Sequence, residues 1–244
     1  MSPNDDYIFD LYGTLVDILT DEDDPAVWRA AADAYTAVGA VYTAEELKRA
    51  YDRLVQEDID RLRAKRDLRR GEYIEPSLRR VFARLFEEKN AAAVPEEIER
   101  IGWQFRTAST RRLRLYDGAE EVLRELRRRG HRLYLLSNAQ DIFTRPELEL
   151  LGISEAFDGI VLSSEAGIKK PAAGIFRILC RRFGIDPERA VMVGNDPVCD
   201  AAAAHAVGMR SIYIHTAQSP DGQAQLPEDC RRIHKIREVP AVNR

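Results

Sequence analysis

Cysteine is scarce in this sequence. Cys180, Cys199 and Cys230 are three in 244 residues. An odd count without metal-type spacing argues against a disulfide framework and fits a reducing cytosol, so a cytoplasmic protein is expected. Cys199 is read as a small buried thiol. No apolar run approaches the roughly 20 residues of a membrane span. No apolar signal region opens the chain either, since Asn4-Asp5-Asp6 precedes only a short hydrophobic stretch. Positive charge is not in excess. The net charge is −4, which gives no reason to expect nucleic acid or an anionic membrane as partner. Arginine runs such as Arg127-Arg128-Arg129 and Arg231-Arg232 are interspersed with acids and read as solvated faces. Internal repeats and low-complexity segments are also missing. What remains is an ordinary globular composition, 45% apolar and 32% charged, long enough for one large domain or a core with a subdomain.

The most informative stretch is Tyr7-Ile8-Phe9-Asp10-Leu11-Tyr12-Gly13-Thr14-Leu15-Val16-Asp17. It reads as a short buried strand running up to a carboxylate, with Gly13 permitting the turn that ends it. Carboxyl ends of parallel strands are where open α/β sheets bind ligands. Residues 17–116 have a different, helical character. Asp21-Glu22-Asp23-Asp24-Pro25 looks like a helix start, and Val27, Ala31, Ala34, Tyr35 and Val38 recur at helical spacing. Thr43 caps a second helix carrying Leu47, Tyr51, Leu54 and Val55. A break near Arg70-Gly71 precedes a third with Leu78, Val81, Phe82, Leu85 and Phe86, and Pro95 opens a fourth. An inserted bundle of about four helices, without strands, is expected. Its aromatics, Trp28 and Trp103 included, are read mainly as core.

From Tyr116 onward helix and strand alternate. Helices are expected over Gly118–Leu126, Phe143–Leu151, Ile175–Phe183 and Ala201–Val207. Strands are expected over His131–Asn138, Phe157–Leu162, Ala190–Gly194 and Ser211–Ile214. With the first strand this makes five, joined by right-handed crossovers into a doubly wound parallel α/β sheet. Residues 1–16 and 117–244 form the core, and residues 17–116 the helical insertion. Asp10, Ser137-Asn138 and Asn195-Asp196 each directly follow a strand, and Lys169-Lys170-Pro171 lies on the loop after the third. The topology brings them to one sheet edge, and four such groups in register are far more specific than any one alone.

These motifs resemble the haloacid dehalogenase-like hydrolase superfamily, in the subfamily with a helical cap inserted after the first strand of a Rossmann-like core. The resemblance rests on Phe9-Asp10-Leu11-Tyr12-Gly13-Thr14-Leu15, Leu136-Ser137-Asn138, Lys170-Pro171, and Val193-Gly194-Asn195-Asp196 with Asp200. It implies that Asp10 is the nucleophile and that Ser137 and Asn138, with Leu11, bind the transferring group. Lys170 would neutralise that group and restrain Asp10. Mg²⁺ would be held by Asp10, the Tyr12 carbonyl and the Asn195-Asp196 pair, with either member of the pair as ligand and Asp200 orienting the surroundings. A hard cation held by one or two carboxylates and a substrate phosphate is chemically reasonable. A carboxylate can also form an aspartyl phosphate or aspartyl ester. The partner implied is a small, phosphorylated substrate, and a monomer or homodimer is expected.

Two departures pull in opposite directions. Family phosphatases carry a second aspartate two residues after the nucleophile, to protonate the leaving alcohol. Tyr12 stands there, as in the 2-haloacid dehalogenases, and a phenol is a poor general base at neutral pH. Metal-independent dehalogenases, however, have neutral groups after the fourth strand, whereas Asp196 and Asp200 are acidic. Asp10, Asp196 and Asp200 against Lys170 leave an excess of negative charge that a divalent cation would offset. The expected activity is Mg²⁺-dependent hydrolysis of a phosphorylated metabolite. The alternatives are a 2-haloacid dehalogenase and a binding module with little turnover. A dehalogenase needs an arginine to grip a carboxylate, and Arg29, Arg53, Arg61, Arg63, Arg66, Arg69 and Arg70 are all candidates in the insertion. Cap and core are expected to open about linkers near Asp17–Thr20 and Arg114–Asp117.

Overall fold

The computed structural model describes residues 5–66, 73–221 and 225–240. Six strands make one parallel sheet. They are β1 (Asp6–Phe9), β4 (Leu133–Ser137), β5 (Gly159–Leu162), β6 (Ala190–Gly194), β7 (Arg210–Ile214) and β8 (Arg231–Ile233), in the spatial order β5-β4-β1-β6-β7-β8. β1 lies at the centre, with Phe9 level with Leu135 on one side and Val193 on the other. It is buried on both faces, and its residues alternate between two cores. Tyr7 and Phe9 join Val122, Leu126 and Ile212 on one side of the sheet. Ile8 joins Tyr134, Leu136, Met192 and Phe176 on the other. This two-residue alternation carries the sheet between two helical layers.

The doubly wound parallel α/β fold expected from the sequence is present, with one more strand than the five expected. β8 is a three-residue edge strand pairing Ile212 with Arg231 and Ile214 with Ile233. Its two arginines hid it, because charged residues on a short edge strand leave no apolar period to read. The helix expected over Ala201–Val207 is shorter. A wide helical turn spans Pro197–Ala202, and regular helix is confined to α9, Ala203–His205.

Four helices, α1 (Pro25–Ala37), α2 (Ala44–Arg66), α3 (Leu78–Glu87) and α4 (Pro95–Ser109), follow one another between β1 and β4. α1 and α3 are capped by side chains, with Asp24 accepting from Ala26 N at 2.8 Å to open α1 and Ser77 opening α3. The region also holds strands, where none was expected. β2 (Val16–Thr20) and β3 (Thr110–Leu115) pair antiparallel and form a stalk beneath the helices. The linkers near Asp17 and Arg114 are thus ribbon, not loop. Arg112 and Arg114 both reach Asp17, at 2.9 and 3.0 Å, across the pairing. The arginine-rich sequence of β3 masked its alternation, but on a two-stranded ribbon those side chains stay half in water.

The helical layer is not closed on itself. α6 (Asp141–Leu150), which follows β4 in the core, inserts Ile142 and Phe143 into the cluster formed by Tyr35, Phe82, Phe86, Ile101 and Phe105. Phe143 stacks on Phe105 with centroids 6.2 Å apart and meets Phe82 edge-on at 6.1 Å. Gly102 is where α4 lets α6 in, since a β-carbon there would lie 2.4 Å from Ile142 Cδ1. Phe143→Ala should therefore cost about 3–5 kcal/mol. Urea denaturation followed by tryptophan fluorescence and by far-UV dichroism should give one coincident transition at lower urea, because the mutated ring belongs to both parts. Separation into two transitions would mean that α6 does not join them.

Candidate active site

Asp10 sits one residue beyond β1, where the backbone turns away at Gly13. The turn closes through Thr14 N, Leu15 N and Val16 N, which all donate to the Leu11 carbonyl. Gly13 adopts a positive φ of +81°, and a β-carbon there would lie 2.3 Å from Asn195 Nδ2. Glycine is required on both counts. The buried Asp10 carboxylate accepts from Lys170 Nζ at 2.8 Å and from Ser137 Oγ at 3.2 Å, both on Oδ1. Its Oδ2 lies 3.2 Å from Thr14 Oγ1, which is also 3.2 Å from Asn195 Oδ1. The threonine thereby brings the Asn195 amide oxygen beside the nucleophile candidate.

Lys170 is 2% exposed and bridges Asp10 to Asp200, whose Oδ1 is 2.6 Å from Nζ. Burial alone would lower the lysine pKa, but the two carboxylates outweigh it and raise the value, so the ammonium persists. Asp200 is equally buried. Burial, with the charge of Asp10 added, pushes its carboxyl up to about 7 against the pull of Lys170. Space for it exists because residue 194 is glycine. A β-carbon there would lie 2.1 Å from Asp200 Oδ2. Two carboxylates thus share one ammonium.

The remaining residues singled out in the sequence divide by role. Asn138 clamps the Lys170 backbone, accepting from its N–H at 2.8 Å and donating to its carbonyl at 3.0 Å. Asp196 caps the helical turn behind it, with Oδ1 accepting from Val198 N and Cys199 N, both at 2.8 Å. The amide of Asn195 donates to the Gln218 carbonyl at 3.1 Å. Leu11 offers no free carbonyl, and its side chain lies in the core. Among the described residues, His, Cys, Asp and Glu form no ready-made metal cage. A metal here would draw on mixed oxygen donors, namely the Asp10 carboxylate, the Asn195 amide and the Asp196 carboxylate. These are hard ligands suited to Mg²⁺ rather than to zinc. Together these groups line a cavity of about 210 Å³.

The sequence model of the haloacid dehalogenase-like hydrolase family matches residues 7–208. The chain belongs to this family. It is 35% identical to a phosphoserine phosphatase of Thermus thermophilus over 164 residues, which are 67% of this chain and 64% of that protein. It is 38% identical to a glyceraldehyde 3-phosphate phosphatase of Methanothermobacter thermautotrophicus over 104 residues, 43% of this chain and 46% of that one. The chain therefore spans less than two thirds of the length of these relatives. Among solved structures, a 2-haloacid dehalogenase of Pseudomonas syringae superposes with a TM-score of 0.64 at 22% identity, covering 97% of this chain and 96% of its own. A phosphatase of the same family from Thermococcus onnurineus gives 0.58 at 20% identity, covering 98% and 97%. At these identities the structural likeness speaks for the fold.

Within this haloacid dehalogenase-like hydrolase, the fate of Tyr12 was not visible in the sequence. Its phenol donates to Glu147 of α6 and lies 2.9 Å from Thr144 Oγ1. Burial, reinforced by the Glu147 charge, drives its pKa far above the ordinary phenol range. Glu147 in turn accepts from Arg106 Nε of α4 at 2.6 Å, and Arg106 reaches Glu22 at 3.4 Å. The guanidinium lies over the rings of Tyr12 and Phe143. Of the arginines singled out earlier, Arg29, Arg53, Arg61 and Arg63 do not occupy this place, and the Arg66 side chain, Arg69 and Arg70 lie outside the described residues. A signal existed nonetheless. Arg106 follows Gly102 by four on the apolar face of α4, and Glu147 follows Phe143 by four on α6. A charge on a buried stripe is the unusual observation.

The Arg106–Glu147 pair yields a direct test. Arg106→Met should destabilise the protein by about 3–5 kcal/mol, because it leaves a buried carboxylate unpaired. Arg106→Met with Glu147→Leu should recover most of that loss in chemical denaturation. No recovery would show that the pair does more than neutralise itself.

Proposed function

We propose that this chain is a Mg²⁺-dependent phosphatase of small phosphorylated metabolites, with Asp10 as nucleophile. The observation that carries the reading is the Asp10–Lys170–Asp200 bridge. Two buried carboxylates share one ammonium, and the Asp196 carboxylate lines the same cavity, so acids outnumber bases there. A divalent cation and a phosphoryl dianion together suit such a site better than a haloacid alone. The phosphatase names of the Thermus and Methanothermobacter relatives support it.

In this reading Asp10 attacks phosphorus, the bond from phosphorus to the alcohol oxygen breaks, and an aspartyl phosphate forms. Water then cleaves the acyl phosphate and restores the carboxylate. Lys170 holds positive charge beside the transferring group, and the Ser137 hydroxyl, 3.2 Å from Asp10, is positioned to donate to a phosphoryl oxygen. Asn138 acts on Lys170 through its backbone and is a positioning residue. Asp10, Asn195, Asp196 and the Tyr12 carbonyl are the proposed metal ligands, with Asp196 also capping the turn behind it. When bound, Mg²⁺ supplies the positive charge that lets carboxylate and phosphate approach. Tyr12 does not act as the general acid, since its proton is committed to Glu147. The leaving alcohol must then depart with little help.

The first test is phosphate release from an activated aryl phosphate with and without Mg²⁺. Release should require Mg²⁺ and vanish in Asp10→Asn. Metal-independent release, or survival in the variant, would sink the mechanism. The second concerns the missing acid. Wild type should strongly favour aryl over alkyl phosphates. Tyr12→Asp should narrow that preference by about tenfold or more, within the range that a positioned general acid contributes. A ratio that does not move, in a folded variant, would mean that protonation of the leaving group is not limiting.

A further inference from the structure

Beyond the nucleophile a larger cavity of about 540 Å³ opens between the core and the helices. It shares Tyr12 and Asn138 with the Asp10 site, so it is where the alcohol portion of a bound phosphomonoester must lie. Its polar lining is one-sided. Glu22, Asp52 and Glu75 contribute carboxylates, and Arg106 is the single basic residue among the described residues that line it. That guanidinium is engaged by the fully buried Glu147 on one side and by Glu22 on the other. Lys48 and Lys169 approach Asp52 and Glu75 at 3.5 and 3.7 Å, but both are half-exposed and neither lines the cavity. The apolar wall includes the rings of Tyr51 and Phe143. Carboxylates beside aromatic faces make a surround that favours a cation.

Glu75 is held in place rather than free to swing away. Gln140 Nε2 donates to its Oε1 at 2.7 Å. Its segment pairs with the loop that carries Lys170, through the bridge between Ile74 and Ile168 and through Lys169 N to the Tyr73 carbonyl at 2.8 Å. Burial raises the pKa of both Glu22 and Glu75. Carboxylates raised in this way gain most from a cation brought alongside.

We infer that the cavity selects phosphomonoesters whose alcohol carries an ammonium group, and that it discriminates against those carrying a carboxylate. Glu22 and Glu75 are the specificity-determining residues. The inference rests on the phosphatase reading of the Asp10 site.

Two phosphonates of equal length test it without bond cleavage. 2-Aminoethylphosphonate and 3-phosphonopropionate differ only in the terminal group, so leaving-group chemistry does not enter. Their affinities for the Mg²⁺-loaded protein are read by calorimetry and as competitive inhibition of aryl phosphate turnover. The aminophosphonate should bind at least tenfold more tightly. Glu75→Gln and Glu22→Gln should each shrink that ratio several-fold, measured against the affinity of each variant for inorganic phosphate. Equal affinities, a preference for the carboxylate, or no binding of either compound while aryl phosphate is still turned over would overturn the selectivity and leave the phosphatase standing. A ratio untouched by both substitutions would overturn the assignment to these residues. Absence of any Mg²⁺-dependent aryl phosphate turnover would instead bring down the phosphatase reading and this inference with it.

Discussion

One buried ammonium organises the catalytic edge. Lys170 reaches Asp10 at 2.8 Å and Asp200 at 2.6 Å with almost no access to water. A lone charge at that depth is untenable, so the ammonium depends on the two carboxylates it touches. The chain is shaped to bring them together. Asp10 comes from the end of β1, Lys170 from the loop beyond β5, and Asp200 from the turn after β6. Gly194 gives the Asp200 carboxylate room, and Asn138 fixes the lysine backbone from β4. Four strand ends therefore converge on one charge. Asp196 adds a further carboxylate to the same cavity, and that excess of acids makes a cation part of the argument for function.

Much of this edge could be read before any coordinates. Asp10, Ser137, Asn138, Lys170 and Asn195 each lie at or beyond a buried strand, and strand periodicity places such residues on one side of a parallel sheet. Local rules suffice where a contact is set by backbone direction. They fail where it is set by two distant side chains. Tyr12 and Glu147 are 135 positions apart, so no window of sequence could show that the phenol is turned away and held. The same holds for Thr14, whose hydroxyl stands between Asp10 and Asn195, 181 positions apart from it along the chain. Short charged strands are the other blind spot. β3 and β8 are rich in arginine, and their pairing is decided by neighbours and by Asp17 rather than by hydrophobic alternation.

Residue 12 illustrates how a motif can mislead when it is read one position at a time. Tyrosine there resembles dehalogenases, and the superposition on a dehalogenase is good. Yet the chemistry of a haloacid site requires a cation free to grip a carboxylate. The Arg106 guanidinium, which lines the neighbouring cavity, is already held by Glu147 and Glu22. The phenol, the carboxylate and the guanidinium form a closed set that joins the first strand's turn to α6 and α4. Tyr12 reads better as a member of that set than as a sign of the reaction.

The same set bears on motion. Opening about the linkers near Asp17 and Arg114 looks easy when they are read as loops. In the structure they are a paired ribbon, and separation of helices from core would also pull Phe143 and Ile142 out of an aromatic cluster. It would further part Arg106 from Glu147 in surroundings of low dielectric, where an unpaired carboxylate is costly. Gln140 adds to the join by accepting from Leu78 N at 2.9 Å and donating to Glu75. A cap tied down at α6 cannot swing on its stalk alone. Movement that spares these contacts would carry α6 along with the helices, and it would shift Thr144 and Glu147, the groups that hold the Tyr12 phenol.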